Sequence, residues 1–565
     1  MKKIGIPLLF VISIFPHTLF AAPPDAGSLM REIERKPATP PEQIPEKLIT
    51  PVRPPEKDQQ GAKIMVKGFR ITGATIFSES ELQNVLEPFT GRELGLDELN
   101  QATNMLAAYY TAKGYIAQVL LPPQEIKDGI VTIKVIEGKL GAVEVTPATG
   151  VRFSEERAAK TITGNQTVGE PIRIEAVEKG LLLLNDNPGI AASATLQPGT
   201  EPGTTDLMVK LDKTPLLTGS IDFDNSGNVS TGEYRITPAL KINNPGGFGD
   251  QISLKGLTSI GDTYGRAEYS VPLGTRGTRI GASLSGLQYE LGGDFESLNA
   301  RGNAFTAGAN MNTPFIRKRS GNLYNTVGYE YREYEDNALG SNLSKKNIHA
   351  GMFGFSGDRR DSFFGGGYTI LWISATLGNL DLSGNLSDEA SDQAGPNAAG
   401  FYSKSVFNLL RIQNIYGEKT SFHLLINGQI ANDNLDSSEK ISLGGPFAVR
   451  ALPPNEGSGD EGLIVTGEIH QNLIEQLQIF GFYDFGWIRQ HHDTYPGWYT
   501  IKGAPNTYDV DGIGLGLVWT KPGSWSIKGT VAQSLETNPA MTANGKDSDG
   551  TLREPRFWIQ ATYYF

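Results

Sequence analysis

From Leu216 onward the chain keeps one texture: segments of about ten residues in which apolar and polar side chains alternate, split by turn residues. In "DQISLKGL", Ile252 and Leu254 oppose Gln251, Ser253 and Lys255; in "YGRAEYSVPL", Ala267, Tyr269 and Val271 oppose Arg266, Glu268 and Ser270. "GLIVTGEIHQNL" sets Leu463, Val465 and Ile469 against Thr466, Glu468 and His470, and "WSIKGTVA" sets Trp525, Ile527 and Val531 against Ser526, Lys528 and Thr530. A period of two puts these sets on opposite faces of a strand. The closing "FWIQATYYF" carries Phe557, Ile559, Ala561, Tyr563 and Phe565 on one face, and Trp558, Gln560, Thr562 and Tyr564 on the other. As the last strand, it is expected to pair with the first and leave no sheet edge.

The connections sort into two kinds. "NNPGGFGD", "PLGTRGT", "NLIEQ" and "TKPGS" are short, and they interleave with "GNLDLSGNLSDEASDQAGPNAAG" and "QHHDTYPGWYTIKGAPNTYDVDG". A water-soluble sandwich shares the period but not this sorting. Short turns at one rim, long loops at the other and apolar-out strands predict a transmembrane antiparallel β-barrel of about sixteen strands, over residues 214–565. Lipid is then the partner of the apolar face.

Helical periodicity appears only upstream. Residues 63–138 read as strand, two helices and two strands: "IMVKGFRITGAT", a helix bearing Leu82, Val85, Leu86 and Phe89 behind a Ser78–Glu81 capping box, and a helix bearing Leu99, Ala102, Leu106 and Tyr109 that stops at Gly114. The strands lie in "YIAQVLLPPQEIKDGIVTIKVIEG". The same order recurs over residues 139–213, so two small α+β modules precede the barrel. Before them, "PDAGSLMREIERKP" predicts a short amphipathic helix at 23–36, capped by Asp25 and apolar at Leu29, Met30 and Ile33. A Pro-rich, charged linker follows at 37–62.

Composition narrows the class. "MKKIGIPLLFVISIFPHTLFAAPPDAG" opens on Lys2 and Lys3, runs apolar, and ends on Ala21 and Ala22, which marks residues 1–22 as a secretory signal peptide. The chain has no cysteine, so thiolate chemistry and disulfides are excluded. A net charge of −12 argues against nucleic-acid binding. None of the six histidines sits in a catalytic pattern, and no G-x-S-x-G elbow precedes a helix. His491-His492-Asp493 reads as a polar loop rather than a metal site. No catalytic residue, cofactor or metal is assigned, and the chain is not expected to be an enzyme.

Two motifs remain. In "LQIFGFYDFGWI", Phe482, Asp484 and Gly486 share one face, opposite Tyr483, Phe485 and Trp487; aromatics toward lipid put Asp484 in the lumen. A lumenal carboxylate calls for a cation, and Arg450 in the preceding "FAVRAL" is the candidate if that loop folds inward. Together, the signal peptide, the "PDAG" helix, the Pro-rich linker, the paired modules and the barrel ending on Phe565 resemble a two-partner secretion transporter. This family lies in the POTRA-plus-barrel superfamily. "FYDFG" matches the family's strand motif at Phe482, Asp484 and Gly486. "FAVRAL" matches its loop motif at Val449 and Arg450 and departs from it at Ala451-Leu452, where the family has glycine and an aromatic.

The resemblance implies POTRA domains at 63–138 and 139–213 in the periplasm and an outer-membrane barrel with porin-like activity. It implies a tucked loop whose Arg450 pairs with Asp484. The implied partner is a large exoprotein with an N-terminal secretion domain: a haemolysin, an adhesin or a contact-dependent toxin. POTRA domains would bind it by strand addition at exposed sheet edges, with pockets such as the groove beside Leu82, Val85 and Leu99. The helix at 23–36 is expected to plug the bore. Insertion by the barrel-assembly machinery and a monomeric state are expected, and an assembly factor of the same superfamily or a specific channel is the alternative.

Overall fold

Sixteen strands hydrogen-bond in sequence order and close into a barrel in the computed structural model, which describes residues 23–35, 49–51, 63–417, 419–499, 505–542 and 544–565. The expected signal peptide at 1–22 and most of the expected linker at 37–62 lie outside the described residues. The first eight strands are β1 (Leu217–Asp224), β2 (Arg235–Asn243), β3 (Gln251–Thr258), β4 (Asp262–Leu273), β5 (Thr278–Glu290), β6 (Arg301–Arg317), β7 (Gly321–Ala338) and β8 (Ser341–Asp361). The rest are β9 (Gly367–Asp381), β10 (Gly400–Tyr416), β11 (Thr420–Ala431), β12 (Glu461–Ile474), β13 (Leu477–Arg489), β14 (Thr507–Lys521), β15 (Trp525–Ser534) and β16 (Arg556–Tyr564).

Closure is made by β1 and β16, antiparallel from Ser220↔Tyr564 to Asp224↔Gln560. Reciprocal backbone bonds between Gly219 and Phe565 extend it, N–H to O at 2.9 and 3.1 Å. The alternation resolves as the sequence predicts: Phe557, Ile559, Tyr563 and Phe565 are exposed on the outer surface, while Trp558 is buried inside. Outside, the apolar row needs lipid; inside, the polar row needs partners.

The N-terminal modules each pack two helices on a small sheet. In the first, the helices Glu79–Leu86 and Leu96–Ala112 cover a sheet of Gly68–Thr72, Ile130–Glu137 and Ala117–Leu120, in that order. Ser78 and Glu81 form the predicted capping box. Tyr110 rather than Tyr109 is the fully buried aromatic, because its hydroxyl donates to Glu137 Oε1 at 2.9 Å inside the core. Leu82 and Leu99 are also buried in that core, so no open groove runs beside them. In the second module Ile49–Pro51, a piece of the linker, pairs in parallel with Ile190–Pro198 and covers that edge of the sheet.

The second module docks on the rim that bears the short turns. Arg317, at the end of β6, donates to both carboxylate oxygens of Asp186, at 2.9 and 2.6 Å. Lys318 and Arg319 pair with Glu175 and Glu178 on the helix Ile174–Asn185. Asn244 donates to the carbonyl of Arg152 at 2.9 Å, and Arg157 to that of Pro272 at 2.9 Å.

The outward row yields a direct test. Leu284 is exposed at the middle of β5. Leu284→Arg should destabilise the folded barrel by about 2–4 kcal/mol, measured by reversible denaturant unfolding into lipid bilayers. A change near zero would mean that this face does not meet hydrocarbon.

Candidate functional site

Two segments fill the bore: a helix from the N-terminus, and the loop between β11 and β12, residues 432–460. Helix α1 (Ala26–Glu34) begins at Asp25, whose carboxylate accepts from Ser28 N at 2.7 Å while Ser28 Oγ accepts from Asp25 N at 3.1 Å. It is shorter than the 23–36 span expected from sequence. Leu29, Met30 and Ile33 share a face and are all buried, against Leu257, Tyr264, Leu287 and Tyr289 of the barrel's inner wall. Gly27 lets the helix lie against the loop, because a Cβ there would stand 2.8 Å from Ser438 Cβ.

The polar face of α1 is tied down along its length. Ala26 N donates to Asp336 at 2.8 Å, Glu32 pairs with Arg235 at 3.0 Å, and Glu34 accepts from Tyr264, Arg266 and Ser285 at 2.9–3.1 Å. Other ties run to the loop rather than the wall. Arg31 donates to the carbonyls of Ser437 and Lys440, and Asn455 donates to Glu32 at 2.7 Å. Asp25 accepts from Ser437 and lies 3.5 Å from Lys346, which also pairs with Asp436 of the loop at 2.8 Å. Helix and loop therefore share partners.

The loop is folded rather than draped. A small hairpin pairs Ile441–Ser442 with Ser458–Gly459, and Val449 N donates to Leu443 O at 2.8 Å. Left-handed backbone falls on Gly445, Asn455 and Gly457 and not on Ala451 or Leu452. The turn thus forms without the glycine of the family motif. Ala451 and Leu452 are buried, packed with Val449, Phe482 and Tyr508.

At its tip the loop delivers Arg450 to the wall. Arg450 Nε and Nη2 donate to the two carboxylate oxygens of Asp484 at 2.8 and 2.7 Å, and its backbone N–H adds a bond of 3.0 Å. Thr466 Oγ1 donates to Asp484 at 2.8 Å, and Trp558 Nε1 donates to the Arg450 carbonyl at 2.8 Å. The guanidinium lies 3.4 Å above the centre of the Phe482 ring. Planar, forked donors are suited to this combined carboxylate and aromatic contact. Gly486 has its own reason: a Cβ there would meet Val449 Cγ2 at 2.8 Å. Val449, Arg450, Phe482, Asp484 and Gly486, named from sequence, thus form one contact.

Several members of the network escaped sequence reasoning. Glu468 accepts from Arg450 Nη1 at 2.6 Å as a second carboxylate. The alternation that places Asp484 inward also places Glu468 inward, so that signal was present; strand register, Glu468↔Phe482, was not. Farther along the wall, loop residue Glu439 pairs with Lys404 of β10 at 2.8 Å and with Arg332 of β7. Glu456 accepts from Asn538 and Ser548 of the last long loop at 2.7 and 2.8 Å. No local pattern marks these partners.

Comparison with known proteins follows the same lines. The family described as "Haemolysin secretion/activation protein ShlB/FhaC/HecB" matches residues 203–505, and "POTRA domain, ShlB-type" matches residues 64–138. The heme/hemopexin transporter protein HuxB of Haemophilus influenzae (strain ATCC 51907 / DSM 11121 / KW20 / Rd) is 28% identical over 540 residues, covering 91% of this chain and 92% of its own. The outer membrane transporter CdiB of Escherichia coli O6:K15:H31 is 23% identical over 469 residues, covering 79% and 76%. Among solved structures, CdiB from Escherichia coli superposes with a TM-score of 0.66 at 20% identity, over 96% of each chain. BamA from Haemophilus ducreyi lacking POTRA domains 1-3 gives 0.54 at 15% identity, over 89% and 100%. At these identities the structural likeness concerns the fold.

Removing one partner from a buried pair strands the other. Asp484→Ala should loosen the loop by about 3–5 kcal/mol, and Glu468→Ala by less, since Asp484 and Phe482 still hold the guanidinium. The chain has no cysteine, so Ser442→Cys, buried in the loop, reports opening by maleimide labelling. Labelling should accelerate about 100-fold or more with Asp484→Ala.

Proposed function

The chain belongs to the ShlB/FhaC/HecB family of haemolysin secretion/activation proteins, and on that premise we propose that its gated bore exports one large partner exoprotein across the outer membrane. The barrel is an outer-membrane two-partner secretion pore and its POTRA region is periplasmic. The observation that supports the gating is the filling of the bore by two segments, α1 and the Arg450 loop, each held by ion pairs and each bonded to the other.

The cycle starts in the periplasm. The POTRA region captures an unfolded client by strand addition, with Gly68–Thr72 and Ala117–Leu120 as the edge strands of the first module's sheet among the described residues. In the second module the edge at Ile190–Pro198 carries Ile49–Pro51, so capture there first displaces the linker. That linker joins α1 to the modules, so pulling on it draws α1 from the bore. Leaving costs α1 its ties to Ser437, Lys440 and Asn455, which loosens the loop as well. The client then passes extended and folds outside, which biases the direction without a nucleotide. Its class is a haemolysin, an adhesin or a contact-dependent toxin, as the sequence resemblance implies, or a protein that handles heme or hemopexin, as the name of the relative HuxB suggests. The protein acts as a monomer, is inserted by the barrel-assembly machinery, and performs no catalysis.

Two measurements test this reading. Deleting residues 23–36 should raise single-channel conductance in planar bilayers, and an unchanged conductance refutes α1 as the plug. Arg450→Ala should abolish secretion of the co-expressed exoprotein while the barrel still inserts; normal secretion by that variant rejects the loop's role.

A further inference from the structure

On the module side of the Arg450 pair, Glu468 belongs to a second cluster as well, whose two histidines have no part in the gating described above. His423 on β11 and Glu468 and His470 on β12 all point into the bore. One ligand atom from each lies within 4.8 Å of the others. The two imidazole rings are stacked, with centres 3.8 Å apart, and His470 stacks in turn on Phe480 at 4.8 Å.

The hydrogen bonds around His470 define what it can hold. Gln478 Nε2 donates to Asn472 Oδ1 at 2.7 Å, which turns the amide oxygen of Gln478 toward His470. That oxygen lies 2.7 Å from His470 Nδ1, so Nδ1 carries the proton and donates it. His470 Nε2, in the neutral ring, then presents a lone pair 2.7 Å from the carboxylate oxygen Glu468 Oε2. At 2.7 Å these two atoms stand at hydrogen-bond separation, closer than they would be around a shared ion, whose bonds to nitrogen and oxygen are about 2.0–2.1 Å each. A divalent ion takes the place of the shared proton once the two side chains spread, and from there it reaches the third member of the cluster, His423.

We propose that His423, Glu468 and His470 bind a divalent transition-metal ion of the zinc class inside the bore. Two imidazole nitrogens and one carboxylate oxygen, with a fourth position open to water, are a donor set that zinc accepts in other proteins. Nitrogen donors favour zinc, nickel or copper over calcium or magnesium. Gln478 orients the His470 ring from behind, as carbonyl and carboxylate partners do in known metal sites. Ser421 Oγ lies 3.0 Å from His423 Nε2. The ion takes Glu468 Oε2 and leaves Oε1 with Arg450 Nη1, so it sits one carboxylate away from the anchor of the loop.

The test uses purified, untagged full-length protein in detergent, stripped with a chelator, and so does not depend on the export reading. Titration with zinc chloride should show one saturable site, and cobalt chloride should give the visible absorption bands of a low-symmetry nitrogen–oxygen site. His423→Ala and His470→Ala should weaken zinc binding about 100-fold or abolish it, Gln478→Ala should weaken it about 10-fold, and His491→Ala should leave it unchanged. His423→Gln, which keeps a polar side chain of similar reach, takes the place of any alanine variant that fails to insert. No saturable zinc binding by the unaltered chain overturns the proposal, as does binding that survives loss of both imidazoles or follows His491.

Discussion

Closing a sheet in lipid leaves the polar side chains one place to go. Every backbone N–H and C=O must be paired within the sheet, and outward positions must be apolar, so the charged positions of sixteen strands converge on one bore. Arg235, Arg266, Arg332, Lys346, Lys404, Glu468 and Asp484 all face inward and are wholly or largely withdrawn from water. Such groups are costly unless paired. The rest of the structure answers that constraint. Helix α1 and the inturned loop supply the counter-charges: Glu32 for Arg235, Glu34 for Arg266, Glu439 for Arg332 and Lys404, Arg450 for Asp484 and Glu468.

A filling held by charge differs from one held by apolar packing. Ion pairs in a narrow bore are strong while water is excluded and weaken sharply once it enters. Loss of a few contacts therefore lowers the stability of those that remain. Helix α1 has both kinds of contact, with Leu29, Met30 and Ile33 on the wall and Arg31 and Glu32 on the loop. The loop in turn is fixed to the wall at two places, by Glu439 at β7 and β10 and by Arg450 at β12 and β13. Neither element leaves without exposing charge on its neighbour, and this couples two segments distant in sequence.

The architecture was legible to an uneven degree. Alternation revealed the barrel and the lumenal side of Asp484, because period two is a local property of each strand. The Ser78–Glu81 box and the Asp25 cap were equally local. Helical spacing points to Tyr109 and cannot see the Glu137 carboxylate that draws Tyr110 inward. The turn at Ala451-Leu452 needed no glycine, since the left-handed positions lie at Gly445, Asn455 and Gly457.

By itself, the sequence determined which residues face lipid and which face the bore, where helices start, and that an arginine and an aspartate stand in matching motifs. Those properties depend on neighbours two to four positions away. Tertiary structure alone decided which charge meets which: Glu468 beside Arg450, Glu439 between Arg332 and Lys404, Arg31 against Ser437, and His423 over His470. Those meetings depend on barrel closure and strand register, which bring together residues up to several hundred positions apart and which no local periodicity encodes.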